Sequence, residues 1–383
     1  MDTTRGHEAS FTSSSTYFPS PSEDTGSPRN SPFVQRHGRR YLADTTYPLP
    51  CDLPELQRQN LHTLLGITVF GRVSCAPRLR HHAPRKVLEL GCGSGYWSSA
   101  CHDYFTSQGH PNVSFTGLDI APLAPDFRKQ GINWRFVQHD LRRLPFPFDD
   151  EEFDLVVLKD LSLVLPLGAS TQPFLDENIR ILKVGGTLEI WESDHVLRSL
   201  LPHPPPPPSK RVEDETTAVL TGTFLISPST PFAGAQNRYI QNWNAWIQEA
   251  LHRRQLPPAP CARVAQVLLQ EPEALGDIGY RRVAIPLGEL RWEREGVGDL
   301  SSKGKGRQSD TPLTADQAAL RYTALLTVVQ MVESLEPLLR EVSGKNTEEW
   351  QYWWACMMTD LLTQKGAASG ECLELGAWWA TKL

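Results

Sequence analysis

Apolar positions along the chain recur first at helical spacing, then in short unbroken runs, then at helical spacing again. From Cys51 to Val73, residues Leu53, Leu56, Leu61, Leu64, Leu65 and Phe70 fall at intervals suited to one face of a helix, with Asp52 placed as its cap and Pro54 in its first turn. Between Arg85 and Trp191 the period changes. Apolar runs at Lys86–Leu90, Ser114–Asp119, Trp134–His139, Leu155–Lys159 and Gly186–Trp191 alternate with polar, helix-compatible stretches, which predicts βαβ units and a parallel sheet buried on both faces. Farther on, Tyr239–Leu251 places Trp243, Trp246, Ile247 and Ala250 on one helical face, Val264–Leu269 reads as part of another helix, and Arg281–Pro286 as a sixth strand. A single long helix is expected over Ala315–Val342, through Leu320, Leu325, Val328, Met331, Val332, Leu335 and Leu339, and a further one over Glu348–Leu362. Cys372–Ala380 fits a last strand returning to the sheet edge. The pattern is α/β, a doubly wound and mostly parallel sheet of seven strands with helices on both faces.

Composition interrupts this rhythm in three places. Residues 1–35 are rich in Ser, Thr, Pro and Gly and are expected to be a disordered tail, because such a segment buries too little apolar surface to offset its ordering entropy. Pro204–Pro208 form an unbroken row followed by the acidic Glu213, Asp214 and Glu215, read as a surface insertion that serves as a spacer or as a docking segment for a protein partner. Gly296–Asp310 is a second polar break. The expected organisation is the tail, then 36–84 as a lead-in segment and helix, 85–195 as the core, 196–235 as the Pro-rich insertion, and 236–383 completing the same domain.

Charge and cysteine usage narrow the setting. The net charge is -6, so the chain lacks the basic excess with which proteins hold nucleic acid by its phosphates. Seven scattered cysteines without close pairs argue against a disulfide framework and against a zinc site, and no metal is expected. With neither a secretory pattern at the start nor an apolar run of about 18–20 residues, the expectation is an intracellular protein of cytoplasm or nucleus, with no membrane association.

The chemistry is concentrated at strand ends. Val87-Leu88-Glu89-Leu90 runs straight into Gly91-Cys92-Gly93-Ser94-Gly95-Tyr96, where glycines at every second position permit positive φ and let a ligand press against backbone at the start of a helix; a tight strand-to-helix turn uses the same glycines. A dinucleotide fingerprint places its third glycine where this chain has Tyr96, which argues for a cofactor without a pyrophosphate. Glu89, just before the turn, can hold an ammonium group directly or through water. Asp119, in Gly117-Leu118-Asp119-Ile120, can accept from both hydroxyls of a ribose, and Asp140 from an exocyclic amine while Leu141 supplies an amide; taken singly, each aspartate is equally a helix cap.

With Phe153-Asp154 leading into Leu155–Asp160, and Ile181-Leu182-Lys183-Val184-Gly185-Gly186 before the next strand, this order of motifs resembles the class I methyltransferases that use S-adenosylmethionine (SAM), which have a Rossmann-like fold. Arg39-Arg40-Tyr41, Tyr47-Pro48-Leu49-Pro50 and Ile285-Pro286-Leu287-Gly288 are similar to the flanks of fungal methyltransferases of the LaeA and UMTA type. The resemblance implies SAM as cofactor, held by Glu89, Gly91, Cys92, Gly93, Gly95, Tyr96, Asp119, Ile120, Asp140, Leu141 and Lys159. It also implies methyl transfer to an unidentified small molecule or protein; the alternatives are a regulatory or scaffold protein that keeps the SAM fold, and a Rossmann-type oxidoreductase.

Displacement at a sulfonium expels a neutral leaving group, so alignment and exclusion of water suffice and no fixed base is required. For an acceptor that must lose a proton, His139, His195, Lys159, Asp160 and Glu192 lie at or near strand ends. Lys159 is also readable as a surface charge and His195 as an ordinary loop histidine. Tyr41, Tyr47, Tyr96 and Trp97 either flank the cofactor or pack, and Trp243, Trp246, Trp350, Trp353 and Trp354 sit at core spacing.

Overall fold

The computed structural model describes residues 33–43, 47–165, 172–202, 212–294 and 313–383. A hairpin of β1 (Phe33–Arg36) and β2 (Arg39–Leu42) stands apart from the main sheet and leads to α1 (Leu53–Phe70). Then follow β3 (Lys86–Leu90), α2 (Tyr96–Ser107), β4 (Ser114–Asp119), β5 (Asn133–Gln138), β6 (Phe153–Lys159), α3 (Gln172–Ile181) and β7 (Leu182–Ser193). The second half holds β8 (Arg198–Leu200), α4 (Val212–Thr221), β9 (Phe224–Leu225), β10 (Phe232–Gly234), α5 (Arg238–Arg253), α6 (Val264–Leu269), β11 (Leu275–Pro286), α7 (Arg291–Arg294), α8 (Ala315–Ser334), α9 (Glu336–Ser343), α10 (Thr347–Met358) and β12 (Glu371–Lys382).

The seven expected strands lie side by side in the order β5-β4-β3-β6-β7-β12-β11. The first five are parallel, and β12 runs antiparallel to both β7 and β11. Three short strands extend the sheet to ten: β8 pairs with β12 and β10, and β9 with β11. From β3 the chain moves outward through β4 and β5, then crosses back to β6 on the other side. Strand order therefore reverses between β3 and β6, and a crevice opens beyond their carboxyl ends, the usual ligand position in open α/β sheets.

Alternation along β3 explains the two-sided core. Val87 packs on one face with Trp97, Cys101 and Phe105 of α2, and Leu88 and Leu90 on the other with Leu175 and Ile181 of α3 and Val264 and Leu268 of α6. A third apolar cluster joins α1, α5, α8, α9 and α10; it buries Trp243, Trp350 and Trp353, with the Trp246 and Trp353 rings 4.7 Å apart and Trp354 half-buried beside them.

Helix α1 starts as its sequence predicts: the Asp52 side chain accepts from the Glu55 amide, and Pro54 sits in the first turn, where no amide is needed. The long helix expected over Ala315–Val342 is instead two, broken at Leu335. Pro337 is the cause: it cannot donate, and its ring collides with the carbonyl four residues earlier, so it opens α9 in place of continuing α8. The helix expected over Glu348–Leu362 ends at Met358 and loosens into a π turn over Thr359–Thr363. The segment read as a surface insertion contributes α4, β9 and β10, so much of it is built onto the sheet. Of the expected tail, residues 33–35 belong to β1, and the rest lies outside the described residues, as do Pro204–Pro208 and Gly296–Asp310. Among the described residues no helix is long and apolar enough to cross a membrane.

Candidate active site

The glycine turn after β3 is pinned by backbone. Gly91 and Cys92 donate to the Leu118 carbonyl at 2.8 and 3.1 Å, and Gly93 donates to Asp119 Oδ2 at 2.8 Å, tying the turn to the neighbouring strand. At Gly93, φ is +50° and a Cβ would lie 3.1 Å from Gln59 Oε1 of α1, so both backbone hand and the closeness of the roof above call for glycine. Gly95, at φ +69°, opens α2. Glu89 is buried and its carboxylate accepts from Ser98 N and Oγ at 3.3 and 2.7 Å; burial pushes its pKa up to about 7. Through Ser98 it braces the first turn of α2.

The next two strand ends carry the aspartates. Asp119 accepts from the Gly93 and Ala121 amides, and burial raises its carboxyl against the lowering effect of those amides. Asp140 accepts a two-pronged Arg142 fork, at 2.9 Å on each oxygen, which holds its carboxyl below the usual carboxylate range. Oδ1 also accepts the Arg142 amide at 3.0 Å, so Oδ2 is the oxygen that keeps a lone pair for a ligand donor.

At the ends of β6 and β7 the charges crowd together. Asp160 sits at φ +54°, a conformation uncommon for any residue but glycine, and its amide donates to the Trp191 carbonyl at 2.9 Å. Lys159 Nζ lies 3.1 Å from Asp160 Oδ2 and His62 Nε2 of α1 lies 3.4 Å from Oδ1. Burial alone would raise the Asp160 carboxyl, but Lys159 and His62 drive it far below its usual range. Glu192 shows the reverse. Burial, with the Asp160 charge nearby, lifts it to about 8, although Leu161 N and Ser162 N donate to its Oε1; among the described residues Oε2 has no hydrogen-bond partner. His195, bonded through Nε2 to Ser162 Oγ at 3.0 Å, is lowered by burial to about 4 and is neutral at physiological pH.

These strand ends open on one cleft of about 1170 Å³, its mouth included, roofed by α1 and by Met331 of α8. Of the residues singled out in the sequence, Gly91, Gly93, Asp119, Ile120, Asp140, Leu141 and Lys159 line it together, while Glu89, Cys92, Gly95 and Tyr96 lie outside its lining. Asp160, His195 and Tyr47 line it too. His139 does not: its Nε2 meets the Arg143 carbonyl at 2.7 Å. Tyr41 is buried away from the lining, and Trp97 is buried with its indole N–H on the Val73 carbonyl at 3.0 Å. Two smaller chambers adjoin the cleft, one of about 350 Å³ sharing Arg58, His62, Ser193, His195 and Met331 with it, the other of about 240 Å³ sharing His62, Lys159 and Asp160.

The roof is what sequence reasoning missed. Glu55, Arg58, Gln59 and His62 follow at spacings of three and four along two turns of α1, and Glu55, fully buried, accepts the Arg58 fork at 2.7 and 3.0 Å, Gln59 Nε2 at 2.9 Å and Ser334 Oγ at 2.6 Å. The legible signal was polar residues at spacing three and four within an otherwise leucine-rich helix, since a buried polar row asks for partners.

The lining suits an adenosine-bearing cofactor such as SAM: two carboxylates at successive strand ends for hydroxyl and amine donors, apolar Ile120 and Leu141 between them, and a backbone turn that leaves room for close approach. Residues 87–186 match a family described as a methyltransferase domain. The chain is similar to the secondary metabolism regulator laeA of Aspergillus niger, 30% identical over 132 residues (33% of this chain, 32% of that protein), and to the protein-methionine methyltransferase laeA of Emericella nidulans, 27% over 155 residues (37% and 39%). It is also similar to a phthiotriol/phenolphthiotriol dimycocerosates methyltransferase of Mycobacterium tuberculosis, 33% over 142 residues (36% and 47%). The match thus spans about a third to a half of these relatives' length. A solved structure of Haemonchus contortus phosphoethanolamine N-methyltransferase 2 in complex with SAM overlays loosely, at 12% identity and a TM-score of 0.35 over 83% of this chain and 56% of that one. With the family match falling on β3 to β7, where the glycine turn and the strand-end aspartates lie, residues 87–186 are a class I SAM-dependent methyltransferase domain similar to that of the LaeA proteins.

Proposed function

We propose that this chain transfers a methyl group from SAM to an acceptor, small molecule or protein, that enters from the roofed side of the cleft. The observation that carries the reading is the Asp119 carboxylate fastened to the Gly93 amide at the strand-order reversal, which joins the ribose-accepting group to the turn in one unit. Asp119 would hold the ribose hydroxyls, Asp140 and Leu141 the adenine, and Gly91, Gly93 and Lys159 the amino-acid end, with Ile120 packing against the base. SAM supplies an electrophilic methyl on a sulfonium whose leaving group is neutral. The chain's own residues then have to align the acceptor, exclude water and take up any proton the acceptor releases. The cysteines favour an intracellular setting: all seven are free, and all but Cys356 are buried.

Calorimetric titration with SAM and with its demethylated product S-adenosylhomocysteine tests the reading. Micromolar binding is expected for the wild type, lost in Asp119→Ala and Gly93→Arg; a folded wild type that binds neither ligand would remove the enzyme reading and favour the scaffold one.

A further inference from the structure

We propose that His62 is the general base of this site and that the acceptor is an acidic hydroxyl, a phenol or enol, seated where the cleft meets its side chambers; this rests on the cofactor reading above. His62 is the one histidine of the described residues that lines the cleft and both adjoining chambers. With Nε2 turned toward Asp160 at 3.4 Å, its Nδ1 has no hydrogen-bond partner among the described residues, and the ring is not sealed off, with about 10% of its side chain accessible. That is the arrangement a base needs: one nitrogen oriented by a carboxylate, the other open to the acceptor. Asp160 is well placed for the orienting role, since its left-handed backbone and the bond from its amide to Trp191 fix the carboxylate between Lys159 and His62.

The groups facing His62 leave Asp160 as the carboxylate paired with it, although Asp194 also lines the chamber, where it accepts the Cys261 amide at 2.9 Å and lies 3.9 Å from Arg282. Glu192, from the end of β7, is protonated at neutral pH, His195 from the same end is neutral, and Arg58 on α1 is tied to Glu55. Lys159 completes the set from β6, and α8 brings only Thr327, Val328 and Met331 to the chamber. The chamber wall of Leu197, Trp243, Val328 and Leu373 is apolar and suits a ring bearing the hydroxyl. A thioether or carboxylate acceptor has no proton to lose and gives such a base nothing to do. In the proposed step the hydroxyl proton passes to His62, the oxygen pair forms the new bond to the methyl carbon, and the carbon–sulfur pair leaves on sulfur, which becomes neutral.

The probes are 4-nitrophenol for a hydroxyl and N-acetylmethionine amide for a thioether. In the presence of S-adenosylhomocysteine and below the free phenol's own pKa, wild type is expected to bind 4-nitrophenol as the yellow phenolate, a readout that needs neither turnover nor a variant. His62→Gln should bind it without the yellow band. With SAM, wild type should form 4-nitroanisole, and His62→Gln should lower kcat by about 100-fold or more while SAM affinity stays within about twofold, as uniform binding unrelated to the chemical step should. Asp160→Asn, which leaves the imidazole but not its orienting charge, should shift the acid limb of the pH–kcat profile to lower pH. The inference is overturned if the wild type binds SAM yet neither ionises nor methylates the phenol, if methyl goes to the thioether instead, or if His62→Gln ionises and methylates the phenol as the wild type does. Failure of the wild type to bind SAM is a different result, which removes the cofactor reading and this inference with it.

Discussion

On the β3–β4–β5 side of the cleft every group facing the cavity lies at or within a few residues of a strand end, and the turn is held by backbone amides: Gly91 and Cys92 on Leu118, Gly93 on Asp119. On the β6–β7 side the groups converge from distant stretches. His62 meets Asp160 from a helix nearly a hundred residues earlier, and Glu55 is held by Ser334 across 279 positions of sequence. The first side is an anchor that a short peptide pattern encodes; the second exists only after helices have packed. Specificity is commonly assigned to the packed, variable part of such folds and cofactor binding to the local part. The difference is therefore physical before it is functional.

The sharpest way to break the comparison is to remove the keystone of the packed side. Glu55 is fully buried and is the acceptor for Arg58, Gln59 and Ser334. Glu55→Ala would leave the Arg58 guanidinium buried without its partner, a change that typically costs about 3–5 kcal/mol. Urea unfolding should show that loss. A loss under about 1 kcal/mol would mean the roof carries no more than a surface ion pair does.

The local side should fail by a different cause and a smaller amount. At Gly95 a Cβ would stand 2.6 Å from Phe127 Cε2, on a backbone at φ +69°. Gly95→Ala combines left-handed strain with a clash against a buried ring and is expected to cost about 2–3 kcal/mol. Denaturant titration gives the number. Equal stability to wild type would show that the turn is not sterically determined.

The same contrast explains what could be read in advance. Strands β3, β4 and β6 announce themselves because both faces are buried, so that short apolar stretches stand between polar segments, and β3 and β4 fall on the expected residues without a shift. Asp119 and Asp140 were legible because a parallel strand delivers the residues at and just beyond its carboxyl end to the crevice by topology alone. Strands β8, β9 and β10, of two or three residues each, contain no period to detect; β9 forms on the edge of β11, β8 on the start of β12, and β10 on β8 in turn. The break at Leu335 carried a visible sign in Pro337, overridden by the apolar period that continues on either side of it. His62 was marked only as one member of the polar row on α1, which names no partner. A histidine among leucines on a helix face is ordinary packing until its neighbour is known, and its neighbour Asp160 is determined by the docking of α1 on the sheet.

The smallest effect tests how the roof is joined to the hairpin in front of it. Asp52 caps α1 through the Glu55 amide and also receives Arg39 of β2 in a fork, Nε at 2.6 Å and Nη2 at 2.8 Å. Asp52→Asn keeps a good capping side chain and removes the charge, whereas Asp52→Ala removes both. The alanine variant should lose about 1–2 kcal/mol and the asparagine variant about half of that. Burial raises the Asp52 carboxyl, but Arg39 and the capped amides outweigh it, and its pKa in the folded protein lies below the ordinary 3.8. A depressed folded pKa means that the stabilisation is complete above the unfolded value and fades as pH falls through the folded one. Both variants should therefore differ from wild type by a constant amount at neutral pH, and the charge-dependent part of the gap should close as pH falls below about 3.8. If the gap held unchanged through that range in thermal melts, the Arg39–Asp52 pair would contribute nothing, and the hairpin would be tied to the segment before α1 by its other bonds, such as Cys51 N to the Arg40 carbonyl at 2.7 Å and the Arg40 guanidinium to the Cys51 carbonyl at 2.7 and 3.2 Å.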